Sequence, residues 1–118
     1  MDKQNSKAPD LESRTLRFAR DVRAFVRALP RTVITIEDGK QLVRSSGSVG
    51  ANYIEACESL SKKDFALRMK ICRKEAKETR YWLQIFDNLA GSVAKERDRL
   101  IQESTELLKI CSAIINRA

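Results

Sequence analysis

Apolar residues recur every three or four positions along four long segments of the chain, which is the spacing of α-helices with one buried face. The pattern predicts helices over residues 11–29, from about 36 to 59, from about 62 to 89 and from about 93 to 116. Their connections are short, so consecutive helices should pack antiparallel. We therefore predict an all-α fold, an antiparallel up-down four-helix bundle over residues 11–118, preceded by a disordered polar tail over residues 1–10.

Capping residues mark the expected helix ends, because short polar side chains satisfy the free backbone N–H groups of a first turn. Glycine and proline mark the ends at which a helix stops. The signals are Asp10 before helix 1, Pro30 after it, Thr35 with Asp38 before helix 2, Ser61 with Asp64 before helix 3, Gly91 after helix 3 and Ser92 before helix 4.

The serine-rich stretch RSSGSVGANYIEACES, residues 44–59, has the glycines of a phosphate-binding loop, but no lysine follows Gly50 as a P-loop requires. A helix fits better, because its polar and apolar positions separate onto two faces. Glycine costs a helix roughly 1 kcal/mol relative to alanine. We therefore expect another backbone to approach helix 2 closely at Gly47 and Gly50, and Gly47→Leu to break packing or assembly. An ordinary solvated polar face is the alternative.

The apolar face of helix 2 defines the side that should enter the core, and its polar face should meet another helix or another subunit. The apolar face comprises Leu42, Val43, Ser46, Val49, Gly50, Tyr53, Ile54, Cys57 and Leu60. The polar face comprises Gln41, Arg44, Ser45, Ser48, Asn52, Glu55 and Ser59.

Basic residues exceed acidic ones, giving a net charge of +7 and a sequence pI of about 9.6. Such a balance suits a polyanionic partner such as RNA, DNA or an anionic membrane, although a solvated basic surface is the alternative. The bases gather on two helix faces opposite the apolar stripes. They are Arg17, Arg20, Arg23 and Arg27 on helix 1, and Lys70, Arg73, Lys74, Lys77 and Arg80 on helix 3.

The chain has no histidine, which excludes the common Ser-His-Asp and Cys-His catalytic sites and nearly all common zinc sites. Cys57, Cys72 and Cys111 are widely spaced, so we interpret them as reduced core thiols of a cytoplasmic protein. No apolar run reaches the ~20 residues that cross a bilayer. We expect no cofactor, no metal, no membrane partner and no enzymatic activity.

Two glutamates, Glu75 and Glu78, fall in the apolar half of helix 3, where an unpaired carboxylate is costly. We expect a structural polar network in which they meet Arg44 and Asn52, together with Glu55. Exposure at the edge of the helix is one alternative. A metal or acid–base site built from Glu55, Glu75 and Glu78 is another.

Three motifs in order, QLVRSSGSVGANYIEA, KKDF and KEAKETRYWL, resemble the bacterial four-helix-bundle family of proteins encoded in intervening sequences of large-subunit ribosomal RNA genes. The resemblance covers residues 16–89 by motif and helix 4 by pattern, and Ala56 departs from a glycine common in the family. It implies an up-down bundle that assembles as a homopentameric ring. It also implies similarity to accessory proteins of diversity-generating retroelements, which bind nucleic acid and a reverse transcriptase. It assigns no activity to Arg44, Asn52, Glu55, Glu75 or Glu78.

The leading hypothesis is therefore a non-enzymatic, homo-oligomeric protein that binds RNA or DNA electrostatically through its two basic stripes. Five copies at +7 would carry +35 (5 × 7). The second hypothesis is an assembly or adaptor module that binds another protein, and the third is an enzyme using the three glutamates.

Overall fold

Four consecutive helices make up the computed structural model, which describes residues 10–117. They are α1 (Leu11–Arg27), α2 (Val33–Cys57), α3 (Lys62–Ile85) and α4 (Gly91–Arg117). Each helix packs on the next, and α1 also meets α4, so the four close around one core. The predicted four-helix bundle is confirmed. Residues 1–9, to which most of the predicted disordered tail belongs, lie outside the described residues.

The helix starts follow the expected chemistry at two of four positions. Asp10 accepts a hydrogen bond from the Ser13 N–H and Ser61 accepts one from the Asp64 N–H, as predicted. Helix 2, however, begins three residues earlier than predicted, because Thr32 is the cap and Thr35 is its partner in a capping box.

The connection between α3 and α4 also differs from the prediction. Helix α3 ends at Ile85 rather than near residue 89, and Phe86 leaves it in an extended conformation. Asn88 then adopts a positive φ of 56°. Gly91, also at positive φ, opens α4 instead of ending α3, so Ser92 lies within the first turn of α4.

The core consists of large apolar side chains from all four helices. Phe25 and Phe86 meet edge to face, with ring centroids 5.8 Å apart. The largest fully buried apolar side chains are Phe18, Val22, Leu42, Val49, Met69, Leu83, Leu100 and Leu107. Burial of this kind contributes roughly 25 cal/mol per Å² of apolar surface and is the main stabilising term.

Two of the three cysteines occupy the core as predicted. Cys72 and Cys111 are buried, with their sulfur atoms 3.5 Å apart, and Cys72 also donates to the Val49 carbonyl. The hydrogen bond with Cys111, together with burial, raises the pKa of the Cys72 thiol. The prediction is wrong for Cys57, which is exposed because it is the last residue of α2. The same end of α2 leaves Ile54 and Leu60 exposed, although both were assigned to the inward face.

Candidate nucleic-acid interface

The outer face of α3 carries a row of exposed lysines. Lys70, Lys74 and Lys77 recur at helical spacing and point away from the core. Lys63 lies about two turns before Lys70 on the same face. The sequence reasoning missed it, although its spacing could have revealed it. Within residues 10–117, Lys70 and Lys77 have no acidic partner within ion-pair distance. Lys74 lies 3.7 Å from Glu75.

Two arginines of the same predicted stripe lie instead along the boundary with α4. Arg73 donates to the Ser112 hydroxyl at 3.3 Å, and Arg80 donates to the Thr105 hydroxyl at 3.2 Å. Both side chains are half-buried. They fasten α3 to α4 through neutral acceptors, and within residues 10–117 neither guanidinium has an acidic partner at ion-pair distance.

The arginines of the predicted stripe on α1 differ in exposure and in their neighbours. Arg20 and Arg27 are exposed, whereas Arg23 is half-buried and donates to the Ala19 carbonyl at 3.1 Å. Arg17 borders a groove between α1 and α4 that also contains the carboxylates of Asp21 and Glu103.

Ion pairs in that groove hold α1 against α4. The Arg14 guanidinium donates to both oxygens of Glu103, and Arg99 pairs with Asp21 at 2.8 Å. Hydrogen bonding to Glu103 raises the pKa of Arg14. The groove thus places two carboxylates, each paired with another arginine, next to Arg17 at the edge of the α1 stripe.

A polar network joins α2 to α3 beside the lysine row. Arg44 reaches across to Glu75, at 3.4 Å, and to Glu78. Glu75 is only 7% exposed. Glu78 also accepts a hydrogen bond from the Trp82 indole N–H at 3.0 Å, a donor that the sequence reasoning did not assign. The Trp82 N–H and then Arg44 hold the pKa of Glu78 below its ordinary value.

The network is narrower than predicted, because α2 and α3 run antiparallel and bring Asn52 opposite Arg68 rather than opposite the glutamates. Asn52 accepts from Arg68 at 3.5 Å and donates to the Ser48 carbonyl. Glu55 lies exposed farther along α2, away from Glu75 and Glu78. Among residues 10–117, no three His, Cys, Asp or Glu side chains gather in a group that could hold a metal ion.

Small polar residues of α2 meet α3 directly. The Thr79 hydroxyl, which is fully buried, donates to the Ser45 hydroxyl at 2.9 Å and lies 2.7 Å from the Glu75 carbonyl. Ser45 in turn donates to the Leu42 carbonyl at 3.3 Å. The polar face of α2 therefore packs against another helix at Ser45, as expected.

The two glycines of α2 have different surroundings. A Cβ atom added at Gly50 would lie 2.8 Å from the Thr15 hydroxyl and 3.1 Å from its Cβ, so α1 approaches closely there, as predicted. A Cβ at Gly47 would meet only the end of the Arg23 side chain, at 3.4 Å. The expectation of a close backbone at Gly47 is therefore wrong, because a flexible guanidinium covers that position.

The fold and the surface define a small helical bundle with basic outer faces. Comparison with known proteins shows which family it belongs to. The chain matches the family model of the 23S rRNA-intervening sequence proteins over residues 10–113, and it belongs to that family. This confirms the resemblance drawn from the sequence motifs.

One similar crystal structure is that of a protein of unknown function from the S23 ribosomal protein family of Bacteroides thetaiotaomicron. The two chains are 32% identical with a TM-score of 0.73, and the match covers 88% of this chain and 96% of the other. A comparison with curated proteins gave no significant match. Within the part of the chain described, none of the helices is long and apolar enough to span a membrane.

Proposed function

We propose that this protein is a non-enzymatic nucleic-acid-binding bundle that contacts phosphates through the outer face of α3. The observation that carries the proposal is the row of exposed lysines in which Lys70 and Lys77 have no acidic partner among residues 10–117. Uncompensated lysines are surrounded by water and counterions, and a phosphate backbone can replace those counterions with a gain in entropy.

The lysine row has the dimensions of a backbone contact. At 1.5 Å per residue, Lys63 and Lys77 are roughly 21 Å apart along the helix. Each strand of a DNA duplex advances about 3.4 Å along the helix axis per phosphate, so the row is as long as roughly six stacked nucleotides and fewer extended ones. Such contacts carry no base information, so the proposed binding is electrostatic and applies to RNA or DNA without a fixed sequence. Arg73 and Arg80 add charge at one border of the row.

The α1 stripe is the second part of the proposed surface. Arg20 and Arg27 are exposed on it, and Arg17 and Arg23 lie at its edges. Because carboxylates lie beside Arg17, we assign α1 a smaller share of the binding than α3. The proposal assigns no catalytic residue, cofactor or metal, and it places the protein in the cytoplasm.

Self-assembly is part of the proposal. Val33 and Ile34 at the start of α2 are 80% and 69% exposed, and Leu60 beyond its end is 98% exposed. Large apolar side chains at such exposure suit contact with another subunit. The family resemblance supports a ring of five, in which the basic faces of the copies would add. Light scattering coupled to size exclusion gives the subunit number directly.

The direct test is fluorescence anisotropy of the purified protein with a labelled structured RNA and with a duplex DNA, over a salt series. We expect binding whose logarithm falls linearly with the logarithm of salt concentration, with a slope of about 0.7 to 0.9 per phosphate contacted. Binding that is absent at low salt, or independent of salt, would contradict the proposal.

An adaptor that binds another protein is the second candidate, and the apolar start of α2 favours it. Val26, Leu29, Ile36 and Val43 line a groove of about 400 Å³ between α1 and α2, next to the exposed Val33 and Ile34. If the salt series shows no nucleic-acid binding, alanine replacement of Val33 and Ile34 is the next experiment. If the variant keeps the wild-type oligomeric state, Val33 and Ile34 are not needed for self-assembly and are available to bind a different protein.

A further inference from the structure

An exposed aromatic ring continues the lysine row of α3. Tyr81 follows Lys77 by four residues and Lys74 by seven, so it lies on the same helix face. It is 58% exposed, although it is a large ring in a chain whose phenylalanines and single tryptophan are buried or packed against the core. The face therefore combines cationic side chains with one open aromatic ring, and it also exposes Leu67 between Lys63 and Lys70.

The Tyr81 ring packs against the neighbouring Trp82. Its centroid lies 5.4 Å from that of Trp82, at an interplanar angle of 74°, which is the edge-to-face arrangement that aromatic pairs favour. Trp82 is itself fixed by its hydrogen bond to Glu78. A ring that is already held in place loses little conformational freedom when a ligand stacks on it.

Charge and an aromatic ring select different forms of nucleic acid. Lysines bind the phosphates of single strands and duplexes alike. An aromatic side chain adds a stacking contact only where a base is free of its neighbours, as in single strands, loops and bulges. Because Tyr81 lies in line with Lys74 and Lys77, a strand bound along the row would bring a base to the ring.

We infer that the α3 face prefers single-stranded nucleic acid over duplex, with Tyr81 stacking against a base while Lys70, Lys74 and Lys77 hold the adjoining phosphates. This inference rests on the proposed nucleic-acid function and gives it a substrate class. Tyr81 is the residue that determines the preference, and the lysines supply affinity without it.

The test compares Tyr81→Leu, which removes the ring, with Tyr81→Phe, which keeps it. Binding to a labelled single-stranded oligoribonucleotide and to the blunt duplex of the same sequence is measured by anisotropy. We expect wild type and Tyr81→Phe to bind the single strand more tightly than the duplex. Tyr81→Leu should lose roughly tenfold on the single strand, the effect of one stacked base, and nothing on the duplex.

Emission from Trp82, the single tryptophan of the chain, provides a second signal. A base stacked on Tyr81 should change this emission in wild type and not in Tyr81→Leu. Thermal melting by circular dichroism checks that both variants fold. Equal single-strand binding by Tyr81→Leu and wild type, or a wild-type preference for duplex, would overturn the inference and leave the electrostatic proposal standing. Failure of wild type to bind either ligand would overturn the proposed function itself.

Discussion

The two helices that flank α2 approach it in different ways. On one side, Gly50 has no side chain, and the backbone of α1 comes close at Thr15. On the other side, α3 is joined by directional contacts, with Thr79 meeting Ser45 and Arg44 meeting two carboxylates. Close packing sets how near α1 lies, whereas hydrogen bonds and ion pairs set the position of α3 along α2.

This difference extends to the outer faces of the two neighbours. On α3, the carboxylates beside the lysine row are paired with Arg44, and Lys70 and Lys77 have no acidic partner within residues 10–117. Beside Arg17, Asp21 of α1 pairs with Arg99 and Glu103 of α4 pairs with Arg14, so these carboxylates hold α1 and α4 together. Under the proposed function, α3 would therefore supply more of the nucleic-acid contact than α1.

Alanine at Gly50 should have the largest effect on stability. Its Cβ would overlap Thr15, whose buried hydroxyl is already bonded to the Leu11 carbonyl at 2.8 Å and cannot move freely. We expect Gly50→Ala to lower the free energy of unfolding by about 1–3 kcal/mol, as measured by urea denaturation. Gly47→Ala is the matched control and should be neutral or stabilising by up to ~1 kcal/mol. Equal losses in the two variants would contradict the close approach at Gly50.

Removing the positive charge between α2 and α3 should have a smaller effect. Arg44→Met leaves the buried Glu75 with only Lys74 nearby. Because Arg44 is half-exposed, we expect a loss of about 1 kcal/mol rather than that of a fully buried pair. Lys40→Met, one turn earlier on α2 and weakly paired with Glu37 at 3.4 Å, is the control and should change little. A loss no greater than that of the control would show that the network does not stabilise the α2–α3 contact.

The smallest effect is a pH dependence at Glu78. Its pKa in the folded protein lies below the ordinary value of 4.5, so its contribution is complete above that pH and disappears as the pH falls through the lower folded value. Glu78→Gln should therefore destabilise at neutral pH, and its deficit should shrink on acidification below 4.5. Urea denaturation of both proteins at several pH values measures the gap. If the difference in unfolding free energy between wild type and Glu78→Gln widened in acid, the pKa of Glu78 could not be lowered in the folded protein.

The sequence was sufficient to predict the four helices and the lysines on the outer face of α3, because both depend on periodicity. Apolar spacing located four helices, and charge spacing located the lysines of α3. Boundaries were harder where two residues could serve the same role: Thr32 and Thr35 are both suitable caps, and the capping box uses both.

Contacts that depend on how two helices meet could not be read from either helix alone. Gly47 and Gly50 look equivalent in sequence, yet only Gly50 lies against the α1 backbone. Asn52 belongs to the same polar face as Arg44, but the antiparallel register carries it to Arg68. Tyr81 gave no signal as an exposed ring, because a lone tyrosine beside a tryptophan is equally compatible with the core.

The central claim, that the α3 face binds phosphate, is tested most directly by charge reversal with a charge-matched control. Lys70→Glu/Lys77→Glu alters the proposed surface, and Lys95→Glu/Lys109→Glu alters exposed lysines of α4. Each lysine-to-glutamate change removes one positive charge and adds one negative charge, so both double variants fall from +7 to +3. Anisotropy with the same labelled RNA should show weaker binding and a salt slope lower by about 2 for the α3 variant, with near wild-type behaviour for the control. Equal losses in both variants would mean that net charge alone attracts RNA, and would contradict a binding face on α3.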